Sequence, residues 1–224
     1  MTETTIFASY VLPLKNPEVF RLAYNSVSLD RKKKIDGYRF EKDRLLSLGA
    51  EILLQYALKK SSPDFESVSV KISETKKPYL ENSDLHFNIS HSGEWVICAV
   101  SDCEVGCDIE KIDTPSMEIA EQFFCPEEYS DIKKTVSEKE RNLLFYRYWT
   151  LKESFVKATG LGLSLPFNSF LIELKNQIRI NQKVDDNKYS FFEFNEISGY
   201  CCSLCSASEK TKAELKIVNP FSIL

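Results

Sequence analysis

Gly106-Cys107-Asp108-Ile109-Glu110-Lys111 places two carboxylates one residue apart in an otherwise apolar run. Side chains alternate across a strand, so Asp108 and Glu110 share one face while Ile109 takes the other. With Cα atoms roughly 6.6 Å apart, the two anions repel each other, and a hard divalent cation relieves that repulsion while using both groups. Taken alone, the stretch reads more readily as a surface strand with an acidic face.

Outward from this strand, the chain reads as the same pattern twice. The strand Val105 to Ile112 is followed by a helix near Met117 to Phe124 and a long helix from Glu138 to Thr159. About one hundred residues earlier, a strand over 5 to 14, closed by Pro13, precedes a helix opened by Asn16-Pro17-Glu18 and running through Tyr24. A long helix from Glu41 to Lys59 then carries Leu45, Leu48, Ile52, Leu53 and Tyr56 at helical spacing. Ser61-Ser62-Pro63-Asp64 breaks it, and Val68 to Ile72 reads as a strand. His86 to Ser90 forms another strand, turning through His91-Ser92-Gly93-Glu94 into Trp95 to Val100, which is apolar enough to be buried on both faces. Leu171 to Arg179 and Tyr189 to Phe194 supply strands to the second copy, and Gly199 to Leu204 echoes Gly93 to Ala99. The pattern predicts an α+β fold of two similar halves, residues 1–103 and 104–224, related by pseudo-twofold symmetry. Ligands favour crevices between such units, and Asp108 lies at the seam.

Composition bounds the function. With 224 residues, 43% of them hydrophobic and 28% charged, the chain can bury a full core. A net charge of −4 argues against broad nucleic-acid binding, so any anion site must be built from local basic clusters. The start lacks a basic secretory signal, and the apolar run Ile6 to Leu14 is too short to span a bilayer. Seven cysteines without paired C-x-x-C spacing, beside only two histidines, point to reduced, buried thiols in a cytoplasmic protein rather than structural zinc.

Two further stretches carry chemistry. In Trp149-Thr150-Leu151-Lys152-Glu153-Ser154-Phe155-Val156-Lys157, the stripe Leu144, Tyr148, Leu151, Phe155 and Ala158 fixes the helix on the core. Trp149, Glu153 and Lys157, spaced by four, lie on a neighbouring face and can present an acid and a base to the seam, or form an ordinary surface ion pair. His91 in Ser90-His91-Ser92-Gly93 stands among hydroxyls and flexible backbone suited to an anion. The basic run Arg31 to Lys34 is a solvated helix start or a phosphate contact. Glu128 reads as one of an acidic pair at a helix start. Three carboxylates, several lysines and a histidine suit a divalent ion holding a pyrophosphate. Gly160-Leu161-Gly162 is not followed by Gly-Lys-Ser/Thr, which argues against a P-loop enzyme.

Phe87-Asn88-Ile89-Ser90-His91-Ser92, then Gly106 to Glu110, then Trp149 to Lys157 together resemble the 4′-phosphopantetheinyl transferases, in particular the long, pseudo-dimeric, surfactin-synthetase-activating type. The resemblance runs from about residue 5 to 210. It implies transfer of phosphopantetheine from coenzyme A to a serine of an apo acyl or peptidyl carrier protein. With two halves in one chain able to complete the site, the expected state is a cytoplasmic monomer without nucleic-acid or membrane partners. By that resemblance Asp108, Glu110 and Glu153 hold Mg²⁺, Lys157 steadies the pyrophosphate, and Ser90 and His91, with Arg31, Lys34 and Lys77, reach the 3′-phosphate. The serine proton goes to Glu153 or to a metal-bound water. Two departures stand out: Lys76-Lys77-Pro78 replaces the usual Gly-Lys-Pro, and Cys107 replaces a branched apolar residue. Two other readings share the same side chains, a Mg²⁺-dependent pyrophosphate hydrolase and a non-enzymatic coenzyme A or carrier-binding module.

Overall fold

Strand β1 (Thr2–Tyr10) alternates its side chains between two buried layers, Phe7 on one face and Ile6 and Ala8 on the other. It ends at Tyr10, earlier than the apolar run suggests. Pro13, which has no N–H to give a sheet, sits instead in the 3-10 turn Leu12–Lys15. Helix α1 (Pro17–Ser26) starts as its sequence requires, with the Asn16 side chain accepting from the N–H groups of Glu18 and Val19. Helix α2 (Leu29–Asp36), capped by Ser28, contains the basic run in its middle rather than at its start. Helix α3 (Glu41–Ser61) covers the first sheet. The chain is a computed structural model in which residues 2–62 and 69–223 are described. The expected break at Pro63-Asp64 and the expected strand start at Val68 lie outside those residues.

The first half continues with the hairpin β2 (Ser69–Ile72) and β3 (Pro78–Glu81), then β4 (His86–Ser92) and β5 (Trp95–Ser101). Six elements follow in the same order: β6 (Val105–Lys111), α4 (Met117–Phe123), α5 (Pro126–Lys134), α6 (Glu138–Thr159), and the hairpin β7 (Leu171–Leu174) and β8 (Ile178–Asn181). The stretch expected as one strand from Leu171 to Arg179 is that hairpin. Strands β9 (Ser190–Phe194) and β10 (Tyr200–Ser206) complete the second copy.

The duplication is explicit in the pairing. Strand β1 runs antiparallel to β5, which pairs with β4, while β6 runs antiparallel to β10, which pairs with β9. The two sheets pack face to face through small and branched side chains: Ile6, Ala8, Ile97 and Ala99 against Val105, Cys107, Ile109, Cys202 and Leu204. Helix α3 lies outside one sheet and α6 outside the other, giving two similar α+β halves in four layers. One strand breaks the symmetry. Strand β11 (Thr211–Ile217) crosses back and pairs in parallel with β1, so the first half's sheet is completed by the end of the chain.

The halves also meet edge to edge. Strands β4 and β6 lie side by side, but the side chains of Asn88, Ser90 and Ser92 take the place of a backbone ladder. Asn88 Oδ1 accepts the Cys107 N–H at 2.9 Å, Ser92 Oγ accepts the Lys111 N–H at 3.1 Å, and Ser90 and Ser92 donate to Asp108 and Glu110. This polar seam aims the two carboxylates.

Candidate active site

Gly106, Asp108 and Glu110 face α6. A Cβ at Gly106 would sit 2.0 Å from the Ser154 carbonyl oxygen, so glycine lets the helix lie directly on the strand. That contact brings Glu153 and Lys157 alongside Asp108. The N-terminus of α6 is capped by Ser137 and its C-terminus by Gly160 at φ 71°, so the register of its strand-facing side is held at both ends.

The seam opens into a cavity of about 310 Å³ lined by Ser90, His91, Asp108, Glu110, Trp149, Glu153 and Lys157, with Ile89. Six side chains expected from three separate motifs therefore share one pocket, with contributions from both halves. Lys157 Nζ donates to Asp108 Oδ1 at 2.6 Å, to Ser90 Oγ at 3.1 Å and to the Cys107 carbonyl at 3.3 Å. Desolvation opposes its charge, but the Asp108 carboxylate outweighs that, with Cys107 and Glu153 adding to it, and the ammonium pKa is raised. Burial raises Glu153, helped by repulsion from Asp108 and Glu110. Burial likewise raises Glu110, and although the Ser92 hydroxyl holds it down, Asp108 repels it. Desolvation lowers the His91 pKa against a backbone hydrogen bond, and the cations Lys157 and Lys34 push the same way. The histidine is thus biased toward its neutral form.

Three mutually repelling carboxylates share one lysine, and Asp108 Oδ2 is buried with no hydrogen-bond partner. A hard-oxygen donor set with an orphaned oxygen suits a divalent cation. As placed, among the described residues, no three His, Cys, Asp or Glu side chains come close enough to enclose one. The donor types thus suit a divalent cation, but as placed the ammonium of Lys157 occupies Asp108 and the carboxylates are not gathered round one point.

The remaining expected residues sit elsewhere. Lys34 is exposed on α2, close enough for its charge to act on His91. Arg31 pairs with Glu51 of α3 at 2.6 Å. Lys77 turns inward, donating to Glu104 at 2.6 Å, to the Val105 carbonyl and to the Ala158 carbonyl, where it caps the end of α6. Hydrogen bonds from His86 and then Lys77 hold the Glu104 pKa down to about 2.

Sequence reasoning missed the support beneath the pocket. Lys152 and Glu128 form a buried ion pair at 2.8 Å, their side chains 0% and 1% exposed. Lys152 also donates to the carbonyls of Phe167 and Phe170, and Glu128 accepts the N–H groups of Cys125 and Ile172. The pair ties α5, α6 and residues 167–172 together and so holds Phe167 edge-on to Trp149, with ring centroids 5.3 Å apart. The thiols behave as expected: all seven are free, six of them buried, with Cys107 pushed up to about 12 by desolvation.

Residues 15–103 match the model of the 4′-phosphopantetheinyl transferase N-terminal domain and residues 104–205 that of the 4′-phosphopantetheinyl transferase superfamily. The chain is 37% identical to the 4′-phosphopantetheinyl transferase gsp of Aneurinibacillus migulanus over 84% of this chain and 79% of that one. It is 33% identical to the 4′-phosphopantetheinyl transferase Sfp of Bacillus subtilis, covering 86% and 88%, and 33% identical to the 4′-phosphopantetheinyl transferase ffp of Bacillus subtilis, covering 95% and 96%. The chain belongs to the 4′-phosphopantetheinyl transferase family. Within it, the chain is of the long, two-halved surfactin-synthetase-activating type.

Proposed function

We propose that this chain moves the 4′-phosphopantetheine arm of coenzyme A onto a serine hydroxyl of an apo acyl or peptidyl carrier protein. The observation that carries the reading is the convergence of Ser90, His91, Asp108, Glu110, Glu153 and Lys157 on one pocket at the seam. The serine oxygen bonds to the pantetheine-side phosphorus, the bond from that phosphorus to the bridging oxygen breaks, and adenosine 3′,5′-bisphosphate leaves. Asp108, Glu110 and Glu153 would hold Mg²⁺, which when bound supplies charge neutralisation for the pyrophosphate. Lys157 stabilises the charge gathering on the leaving phosphate, from the position its helix fixes beside Asp108. Glu153, with its raised pKa, is suited to take the serine proton directly or through a bound water. Ser90 and His91 orient the 3′-phosphate, with Lys34 adding positive charge, and Arg31 and Lys77 join them only by sharing or leaving Glu51 and Glu104. Residues 1–103 supply the coenzyme phosphate contacts and 104–224 the metal and catalytic groups. Because both halves of one chain line the pocket, we read the enzyme as a monomer, and its reduced thiols as those of a cytoplasmic protein. No helix among the described residues is long and apolar enough to cross a membrane.

Intact mass spectrometry of an apo carrier, incubated with this chain and coenzyme A with and without Mg²⁺, tests the reading. The expected result is a gain of one phosphopantetheine arm only with the metal. Release of adenosine bisphosphate without carrier would assign a hydrolase, and coenzyme A binding without turnover a binding module.

A further inference from the structure

The turn between β2 and β3 holds a lysine where the backbone favours glycine. Lys76 has φ 66°. Its N–H donates to the Ser73 carbonyl at 2.9 Å, the Ser73 N–H donates to the Lys77 carbonyl at 2.9 Å, and Ser73 Oγ accepts the Lys77 N–H at 3.0 Å. The first bond closes a turn, and the left-handed residue before the strand resumes is where hairpins of this length place glycine. A side chain there carries a steric cost that glycine avoids, and such strain is worth relating to a site.

The site is adjacent. Lys76 lines a second cavity of about 470 Å³, largely apolar through Phe123, Trp149, Leu165 and Phe167. That cavity shares Ile89, Trp149, Glu153 and Lys157 with the carboxylate pocket. Three lysines border it, and two of them are engaged: Lys77 with Glu104, Lys157 with Asp108. Lys76, at the rim, is exposed and forms no ion pair among the described residues.

We propose that Lys76 is a substrate-binding residue whose ammonium, placed by the left-handed backbone, takes a phosphate of the coenzyme. This rests on the transferase reading and adds to it a cationic contact, made at the expense of turn stability. The contact is exposed and acts on ground-state binding, so it changes KM rather than kcat.

The test compares Lys76→Gly and Lys76→Arg with the native chain. Glycine suits the turn, so the fold is not at risk. For Lys76→Gly at low ionic strength, KM for coenzyme A rises about two- to fivefold with kcat held, and the difference shrinks in high salt. Its thermal midpoint rises, while Lys76→Arg keeps the native KM. An unchanged coenzyme KM in Lys76→Gly, or an effect confined to the carrier's KM, overturns the proposal. Calorimetric titration of coenzyme A into the native chain and Lys76→Gly repeats the comparison without turnover. A weaker Lys76→Gly complex sustains the proposal even if the transferase reading fails, and equal affinities overturn it even if that reading holds.

Discussion

Helices α3 and α6 hold equivalent places in the two halves but bury opposite chemistry. The strand registers fix the equivalence: Tyr10 opposes Trp95 as Lys111 opposes Tyr200, and Phe7 opposes Cys98 as Asp108 opposes Ser203. Phe7 thus corresponds to Asp108, and on the covering helices Tyr56 meets the one as Lys157 meets the other. Where the first half has a Phe7–Tyr56 ring contact at 5.8 Å, the second has the Asp108–Lys157 ion pair at 2.6 Å. One copy is filled with apolar side chains that need only shape to be satisfied. The other holds charges that stay charged only because partners or a ligand compensate them. The first half therefore needs no counter-charge at this place, whereas the second leaves Asp108 Oδ2 unpartnered and Glu153 raised by its neighbours.

The largest expected break in this comparison lies beneath the pocket. Lys152→Met strands the Glu128 carboxylate in a site that excludes water, and it should cost about 3–5 kcal/mol in denaturant unfolding. The double variant Glu128→Gln with Lys152→Met should lose less than Lys152→Met alone, because no lone charge remains. If the single and double variants lose equally, the pair contributes packing only. Transfer activity should fall in the double variant even where it stays folded, since the Phe167 and Phe170 carbonyls lose the donor that places Phe167 against Trp149.

These residues also mark the limit of what the sequence reveals. Period-two spacing put Asp108 and Glu110 on one face, and period-four spacing put Trp149, Glu153 and Lys157 on another, because both signals are local. The duplication was legible for the same reason. Glu128 and Lys152 lie in different helices, and locally Glu128 is indistinguishable from a carboxylate favoured by a helix dipole. Strand β11 pairs in parallel with β1 across the whole chain, so no turn residue announces it. Lys77 carries the charge expected of a phosphate ligand, but only the folded chain shows that charge engaged by Glu104 and by the last turn of α6.

A second, smaller effect separates the halves by titration. Glu110 and Glu153 have raised pKa values when folded, so between their unfolded and folded values the native state binds more protons than the unfolded one. Their contribution to the stability of the metal-free protein should therefore grow as pH falls from neutral through those values and level off below the unfolded carboxylate range near 4.3, where Glu104, held down to about 2, begins to cost stability instead. Equilibrium unfolding in chelator across that window measures it. Asp108→Asn removes one of the charges raising both groups and should make the slope shallower, whereas Phe7→Leu, at the corresponding place in the first half, should shift stability without changing the slope. A slope of opposite sign above that range in the native chain would mean that Glu110 and Glu153 are already compensated without metal.

The smallest effect is a sign-reversed echo of the buried pair. Arg31 of α2 meets Glu51 of α3 at 2.6 Å, with side chains 28% and 16% exposed, as Glu128 of α5 meets Lys152 of α6 without any exposure. Water screens the first pair, so Arg31→Met should cost only about 0.2–1 kcal/mol. Its interest is kinetic. For Arg31 to take a coenzyme phosphate it must share or leave Glu51, so the carboxylate competes with the substrate for the guanidinium. Glu51→Gln removes the competitor and should lower the coenzyme KM about two- to fivefold, while Arg31→Met raises it by a similar factor. Should neither variant move KM, Arg31 is a brace between two helices, and the phosphate contacts of the first half fall to Lys34, Ser90 and His91. A rise in Arg31→Met without the fall in Glu51→Gln would mean that the guanidinium, with five donors in a planar fork, serves carboxylate and phosphate at once.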